Sequence, residues 1–342
     1  SDVYKRQDLV SSSLVLPILD IFDPVSRGSA GYASNMSPQV YTETVSKQAG
    51  VYLQDQIKLG KLRLTVGGRQ DWAKDNTYNP ITGNRYITKS DAFTWRAGAV
   101  YMFDNGLAPY ASYSESFQPQ VSDPSTSLTG EPFKPTTGQQ YEAGIRYQHG
   151  DNIYVTLGAY QITQQNMTTP DPTGTLCGTS TCLVQTGEGR VRGLEFESKA
   201  TLPWGMAVIA TATRMDSEVT KSNTVGQVGN ELPQVPEWMA SLFLNQTIEG
   251  GSLAGLGFGG GVRYTGKSYG DTANSLRIPD YTLFDLFIRY DLGKASGALE
   301  GMTFSINGRN IADKRYVATC SAVSACYYGQ GRSLTARLQF NW

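Results

Sequence analysis

The chain has 342 residues and a formal net charge of -1, with 17% charged side chains and abundant Gly (37) and Tyr (20). That balance excludes a nucleic-acid partner, which calls for clustered Lys and Arg, and it is not the Leu- and Lys-rich composition of a helical protein. Mean hydropathy is -0.32 and no apolar run reaches about 18 residues, so no membrane-crossing helix is readable; a β-barrel, apolar on one strand face only, stays open.

Ser1 to Gln7 shows neither an initiator Met nor a charged segment leading into an apolar one, and the start reads as a truncation. Residues 1–42 are expected to be a partial extracellular loop behind that truncated start, and residues 43–342 the C-terminal portion of a barrel. About thirteen strands follow in chain order, the first five near Glu43 to Leu59, Lys61 to Trp72, Ala92 to Asp104, Leu107 to Phe117 and Gly138 to His149. In the third, Phe93, Trp95, Ala97, Ala99, Tyr101 and Phe103 alternate with polar residues that include Arg96; in the fifth, Tyr141, Ala143, Ile145 and Tyr147 alternate with Glu142 and Arg146. Eight more run near Asn152 to Gln165, Leu183 to Leu202, Gly205 to Thr220, Pro236 to Glu249, Ala254 to Ser268, Pro279 to Leu292, Gly301 to Asn310 and Tyr328 to Trp342. The last places Leu334, Ala336, Leu338, Phe340 and Trp342 on one face and Arg337 on the other, so a one-residue slip would put an arginine in lipid. Asp285, Arg289 and Arg309 fall on the corresponding polar faces.

The connections alternate between short turns, as at Leu59 and Gly60 or Asp104 to Gly106, and long polar stretches at Ala73 to Asp91, Gln118 to Thr137, Asn166 to Cys182, Lys221 to Val235, Tyr269 to Ile278 and Ile311 to Tyr327. That parity is the signature of an outer-membrane barrel, with short periplasmic turns and long extracellular loops. The expected fold class is therefore all-β, an antiparallel transmembrane β-barrel. A barrel in lipid must close, because an open edge leaves backbone groups unpaired in hydrocarbon, and single-chain bacterial barrels usually have even strand numbers, so at least one further strand is expected upstream of Glu43. Cys177 with Cys182 and Cys320 with Cys326 read as two local disulfides in long loops, which suits an oxidising compartment. The only histidine, His149, lies away from both pairs, and no zinc site is expected.

Several segments in order carry a family resemblance: YLQDQIKL (Tyr52 to Leu59), YASYSESFQP (Tyr110 to Pro119), KPTTGQQYEAGIRYQ (Lys134 to Gln148), GEGRVRGLEFESKA (Gly187 to Ala200), GNELPQVPEWMASLF (Gly229 to Phe243), INGRNIADKRYVATC (Ile306 to Cys320) and CYYGQGRSLTARLQFNW (Cys326 to Trp342). Together they resemble the TonB-dependent siderophore receptors of the ferrichrome, hydroxamate type. The resemblance implies a 22-stranded barrel with a plugged lumen, of which this chain would supply about the last thirteen strands with the plug domain absent. It also implies outer-membrane localisation, ferric siderophore and outer-membrane lipid as partners, and import powered through TonB contacting the missing N-terminal region. Energised transport by this stretch alone is not expected.

No catalysis is expected. Gly266, Ser268 and Gly270 fit GxSxG, but His149 precedes the serine and no helix is readable after it. Gly255, Gly257 and Gly260 fit GxGxxG, yet Val262 to Tyr264 continues a strand where a dinucleotide site needs a helix. The charges Arg96, Glu142, Arg146, Asp285, Arg289, Arg309 and Arg337 read as a polar barrel wall. Tyr113, Phe117, Tyr269, Tyr316, Tyr327 and Tyr328 lie at extracellular strand ends or loops and are the candidate siderophore contacts, each weighed against a girdle aromatic at the membrane interface. Iron would arrive already chelated, so no cofactor or protein metal ligand is expected. The alternatives are a passive diffusion channel, and an outer-membrane adhesin or enzyme.

Overall fold

The structure, a computed structural model, describes residues 2–10, 38–78, 83–120, 124–178, 180–322 and 325–341. Fourteen strands form one antiparallel sheet in chain order: β1 (Asp2–Val10), β2 (Pro38–Leu59), β3 (Leu62–Tyr78), β4 (Arg85–Tyr101), β5 (Leu107–Gln118), β6 (Thr136–His149), β7 (Ile153–Pro170), β8 (Leu183–Thr201), β9 (Met206–Lys221), β10 (Trp238–Thr247), β11 (Leu256–Thr265), β12 (Tyr281–Asp291), β13 (Met302–Arg309) and β14 (Ser333–Phe340). Three small hairpins sit in the long loops: Leu176–Cys177 with Ser180–Thr181, Ser268–Tyr269 with Arg277–Ile278, and Val317–Ala322 with Ala325–Tyr328. Among the described residues β1 and β14 are edge strands of the sheet and are not paired with each other.

The register sorts side chains as the alternation requires. One row of directly opposed residues crosses seven strands: Ile57, Leu64, Ala99, Ala111, Ala143, Ala159 and Leu194. At the far end Phe258 opposes Ile288, Ile288 opposes Ile306, and Ile306 opposes Ala336. Leu53 is 81% exposed and Leu334 68% exposed, values that make sense only for a face solvated by hydrocarbon. Leu338 and Phe340 are likewise on that outer surface and not in a protein core. The opposite, inner face carries all seven charges read as a polar wall, with Arg289 and Arg337 both across from Ser305.

Bulky inner-face rings are accommodated by glycines on neighbouring strands. Tyr110 occupies the space beside Gly144 and Gly158, where an added Cβ would come 2.9 Å from its ring or hydroxyl. The Tyr160 ring lies over Gly193 in the same way. Aromatic rings covering cross-strand glycines pin strand register while allowing strong sheet curvature.

Two expectations are corrected. Residues 1–42 are not loop throughout: Asp2–Val10 is a strand paired with the outer part of β2, from Asp2 opposite Lys47 to Val10 opposite Pro38. Residues 11–37 lie outside the described residues. The stretch Ala73 to Asp91 is mostly strand, since β3 and β4 stay paired from Ala73 opposite Ser90 up to Tyr78 opposite Arg85. Both misreadings have one cause: above the lipid, both faces of a strand are wet, so apolar alternation is no longer required. The long-loop end therefore projects partly as extended hairpins, and length alternation breaks at the β3–β4 junction. All thirteen predicted strands occur, with boundaries shifted by at most seven residues.

The two motif coincidences are resolved by backbone structure. Ser268, only 8% exposed, pairs with Ile278 in a loop hairpin and starts no helix. Gly257 and Gly260 lie within β11 itself.

Candidate functional site

The long-loop end forms a crown of two hydrogen-bonded groups. In the first, the loop after β5 is bonded to the long-loop end of β8: Leu128 N donates to Leu183 O at 3.1 Å, Lys134 N donates to Gln185 Oε1 at 2.6 Å, and Gln185 Nε2 returns a bond to Lys134 O at 2.7 Å. The loop after β7 is itself organised by Asp171, whose carboxylate accepts from Thr173 Oγ1 at 2.5 Å and from the backbone N–H groups of Thr173 and Thr175 at 3.2 and 3.1 Å. Those donors, the Thr173 hydroxyl first, hold the Asp171 carboxyl below its ordinary range against the opposing effect of burial. The Cys177–Cys182 disulfide closes this loop.

The second group joins the loops after β9, β11 and β13. Asn274 imitates a strand partner for Glu231, accepting from its N–H at 2.7 Å and donating to its carbonyl at 2.9 Å. Asn230 donates to Thr272 O at 2.9 Å, Gln234 N to Tyr269 O at 2.7 Å, and Gln234 Nε2 to Cys320 O at 3.0 Å. Asp271 caps its own turn through Ser275 and the Leu276 N–H, and these bonds depress its carboxyl, the Ser275 hydroxyl most. Beneath them Ile278, Val317 and Cys320 form a buried apolar cluster with Leu276 and Cys326 packed against it, and the Cys320–Cys326 disulfide lies inside it.

This second group is anchored to the inner face of the sheet. Asp285 on β12 accepts two bonds from Arg263 on β11, at 2.7 and 3.1 Å, and one from Asn310 N at 2.9 Å. Asn310, 2% exposed and at φ 47, donates to Lys314 O and Gln330 O at 2.8 and 3.1 Å and accepts from Lys314 N at 2.9 Å, so one side chain ties both stems of the last loop. The Tyr316 ring packs against Tyr281 with centroids 4.2 Å apart and planes tilted by 34°, and covers Gly329. Burial, followed by the neighbouring Tyr281, raises its hydroxyl pKa.

Of the six candidate ligand contacts, the structure gathers four into the second group. Tyr269 and Tyr316 are half-buried, while Tyr327 and Tyr328 stand 65% and 44% exposed on the 317–328 hairpin. Tyr113 and Phe117 lie elsewhere. Tyr113 shares the outer face with Trp95 and Tyr141, ring centroids 4.6 and 4.9 Å away, and its hydroxyl donates to Glu115 at 2.7 Å. By register Phe117 is on that same face. Sequence reasoning missed Arg263, Asn310, Asn274 and Gln234, which build the crown. The one legible signal was the Asn-Gly-Arg-Asn run at Asn307 to Asn310, where the strand must stop and the chain reverse.

Among the described residues no cluster of three His, Cys, Asp or Glu side chains could hold a metal ion, and no helix is long and apolar enough to cross a membrane. The arrangement offers a polar interior, an aromatic and hydroxyl-rich mouth and an apolar exterior.

Residues 11–311 match the family model described as TonB dependent receptor-like, beta-barrel. The chain is 38% identical over 331 residues to the ferrichrome outer membrane transporter/phage receptor of Escherichia coli (strain K12), covering 96% of this chain and 43% of that protein. It is 34% identical over 344 residues to the ferrioxamine receptor of Yersinia enterocolitica, covering 98% and 46%. The crystal structure of the siderophore receptor PiuA from Acinetobacter baumannii superposes with a TM-score of 0.74 at 25% identity, over 87% of this chain and 44% of that one. The chain thus spans less than half the length of these relatives.

Proposed function

The chain belongs to the TonB dependent receptor-like β-barrel family, and on that premise we propose that it forms the wall and mouth of a receptor importing a ferric siderophore of hydroxamate type. The wall is an outer-membrane barrel wall, apolar outside and polar inside. The observation that carries the reading is the coincidence of that wall, crowned by interlocked loops, with 38% identity to a ferrichrome transporter.

A ferric siderophore is bulky and polar, so its capture calls for aromatic faces and hydrogen-bonding groups converging on a wide mouth. We assign first contact to Tyr327 and Tyr328, the exposed pair, with Tyr269 and Tyr316 shaping the surface behind them. Iron enters as a finished chelate, so the protein supplies neither metal ligand nor cofactor and makes or breaks no covalent bond; the activity is binding and translocation, not catalysis. Coupling to TonB is assigned to the part of the whole receptor outside this chain.

The test is growth under iron limitation of a strain stripped of its own hydroxamate receptors and given the gene that encodes this chain. Growth on ferrichrome or ferrioxamine that disappears when TonB is deleted is the expected result. Growth that persists without TonB would instead identify a diffusion channel, and no response to either chelate would overturn the substrate class.

A further inference from the structure

Strand β11 contains three consecutive glycines, Gly259, Gly260 and Gly261, an arrangement that weakens a strand unless something requires the missing side chains. Two are explained on the inner face. The Phe287 ring lies where a Cβ on Gly259 would project, and the Phe243 ring where one on Gly261 would. Gly260 has the opposite parity and faces the lipid side, opposing Leu244 and Leu286. A Cβ there would meet the tip of Leu286, 2.6 Å away, and Asp285 O at 3.0 Å, but no covering ring. What stands above Gly260 is a notch of about 680 Å³, walled by Leu242, Leu244, Phe258, Val262, Phe284 and Leu286.

The notch is open toward the membrane side rather than enclosed, and its lining is chiefly apolar, with Asn245, Gln246 and Asp285 as its polar members. Its depth follows from register. Gly260 is four residues above the short-turn end of β11 at Leu256, about 13 Å along a strand rising about 3.3 Å per residue. With a tilt of about 40° that is roughly 10 Å of depth, within the periplasmic half of a core about 30 Å thick. The leaflet at that level is built of phospholipid.

We propose that the Gly260 notch holds one acyl chain of a periplasmic-leaflet phospholipid as a resident of the barrel wall. Left unfilled, the notch would deprive its lining of dispersion contacts on one side, and a single flexible chain from the surrounding leaflet fits what rigid ring or headgroup chemistry would not. Lipid tails are as apolar as leucine, so selectivity comes from packing and not from the hydrophobic effect, and the preference over the rest of the belt is modest. The inference rests on the membrane placement of this face.

The protein purified from outer membranes is examined by native mass spectrometry, counting phospholipids retained through mild detergent. One retained phospholipid is expected, reduced at least fivefold in Gly260→Leu, which fills the notch, and unchanged in Ala143→Leu, which alters the same face on β6, five strands away. Val262→Phe fills the notch from the side without touching the glycine and serves if Gly260→Leu does not fold, as judged by heat-modifiable gel mobility. Equal retention by wild type and both notch variants, or retention of outer-leaflet saccharolipid alone, would overturn the proposal. Absence of the wild-type protein from the outer-membrane fraction would instead overturn the membrane reading on which it depends.

Discussion

The loops after β7 and β13 are each closed by a short-range disulfide, spanning five residues in one and six in the other, yet they are held in different ways. The Cys177–Cys182 loop is a polar construction: Asp171 gathers the N–H groups of its own turn, and the adjoining end of β8 is bonded to the loop after β5 through Leu183 O and the Gln185 side chain. The Cys320–Cys326 loop is built around an apolar cluster, is tied to two other loops through Gln234 and Ile278, and is rooted in the barrel interior by Asn310 and Asp285. Two cysteines a few residues apart specify a closed loop. What the loop then does depends on whether its surroundings are water, other loops or the wall.

The sharpest way to break this contrast is Asn310→Ala. Losing a buried side chain that makes three hydrogen bonds should cost about 2–3 kcal/mol of local stability at roughly 1 kcal/mol per bond. Hydrogen exchange should then accelerate some thirtyfold or more across 310–332, while residues 171–182 remain as protected as before.

Next in size are the two disulfides. Each removes a loop-closure entropy on the order of 2 kcal/mol by the chain-entropy model, so their thermodynamic losses should be similar but their reach should differ. Cys320→Ser with Cys326→Ser should loosen 222–237 and 266–280 as well, read by hydrogen exchange; Cys177→Ser with Cys182→Ser should stay local. Equal spread would erase the distinction between the two loops.

A smaller effect is expected at the mouth. Tyr327→Ala and Tyr328→Ala should each weaken siderophore binding by about 1 kcal/mol, roughly fivefold, whereas Tyr113→Ala should leave affinity unchanged because its ring belongs to the outer aromatic cluster. Equilibrium binding with a fluorescence-quenching siderophore would measure both, and a loss at Tyr113 matching that at Tyr327 would contradict the assignment.

The smallest is a pH effect. Because the folded loop holds the Asp171 carboxyl below its ordinary range, the associated stabilisation is present above the unfolded carboxylate pKa and is lost as pH falls through the depressed folded value. Protection of residues 173–182 should fade in acid, the 317–328 hairpin should retain its own, and Asp171→Asn should abolish the pH dependence in the first loop.

What was legible in the sequence was whatever lipid enforces. Leu334, Leu338 and Phe340 could be placed because an alternation with Arg337 has one register compatible with hydrocarbon, and the same logic located twelve further strands. Residues 2–10 and the outer halves of β3 and β4 escaped it, since strands standing in water obey no such pattern. The candidate site was legible only as a set of aromatic residues near loops. Tyr113 and Tyr327 look alike in the sequence, and only the pairing of Tyr113 with Ala97 and Tyr141 puts it on the outer face.

The sequence by itself determined the strand faces, the alternation of short and long connections and, through seven segments that match in order, the family. The faces are local, written in a two-residue period, and each matching segment is a continuous run of the chain. Only the tertiary structure decided which loops hold one another, because Asn310 reaching Gln330, Gln234 reaching Cys320 and Arg263 reaching Asp285 are contacts between residues 20, 86 and 22 positions apart. Hydrogen bonds at such separations depend on how the sheet curves and brings strand ends together, and no periodicity along the chain encodes that.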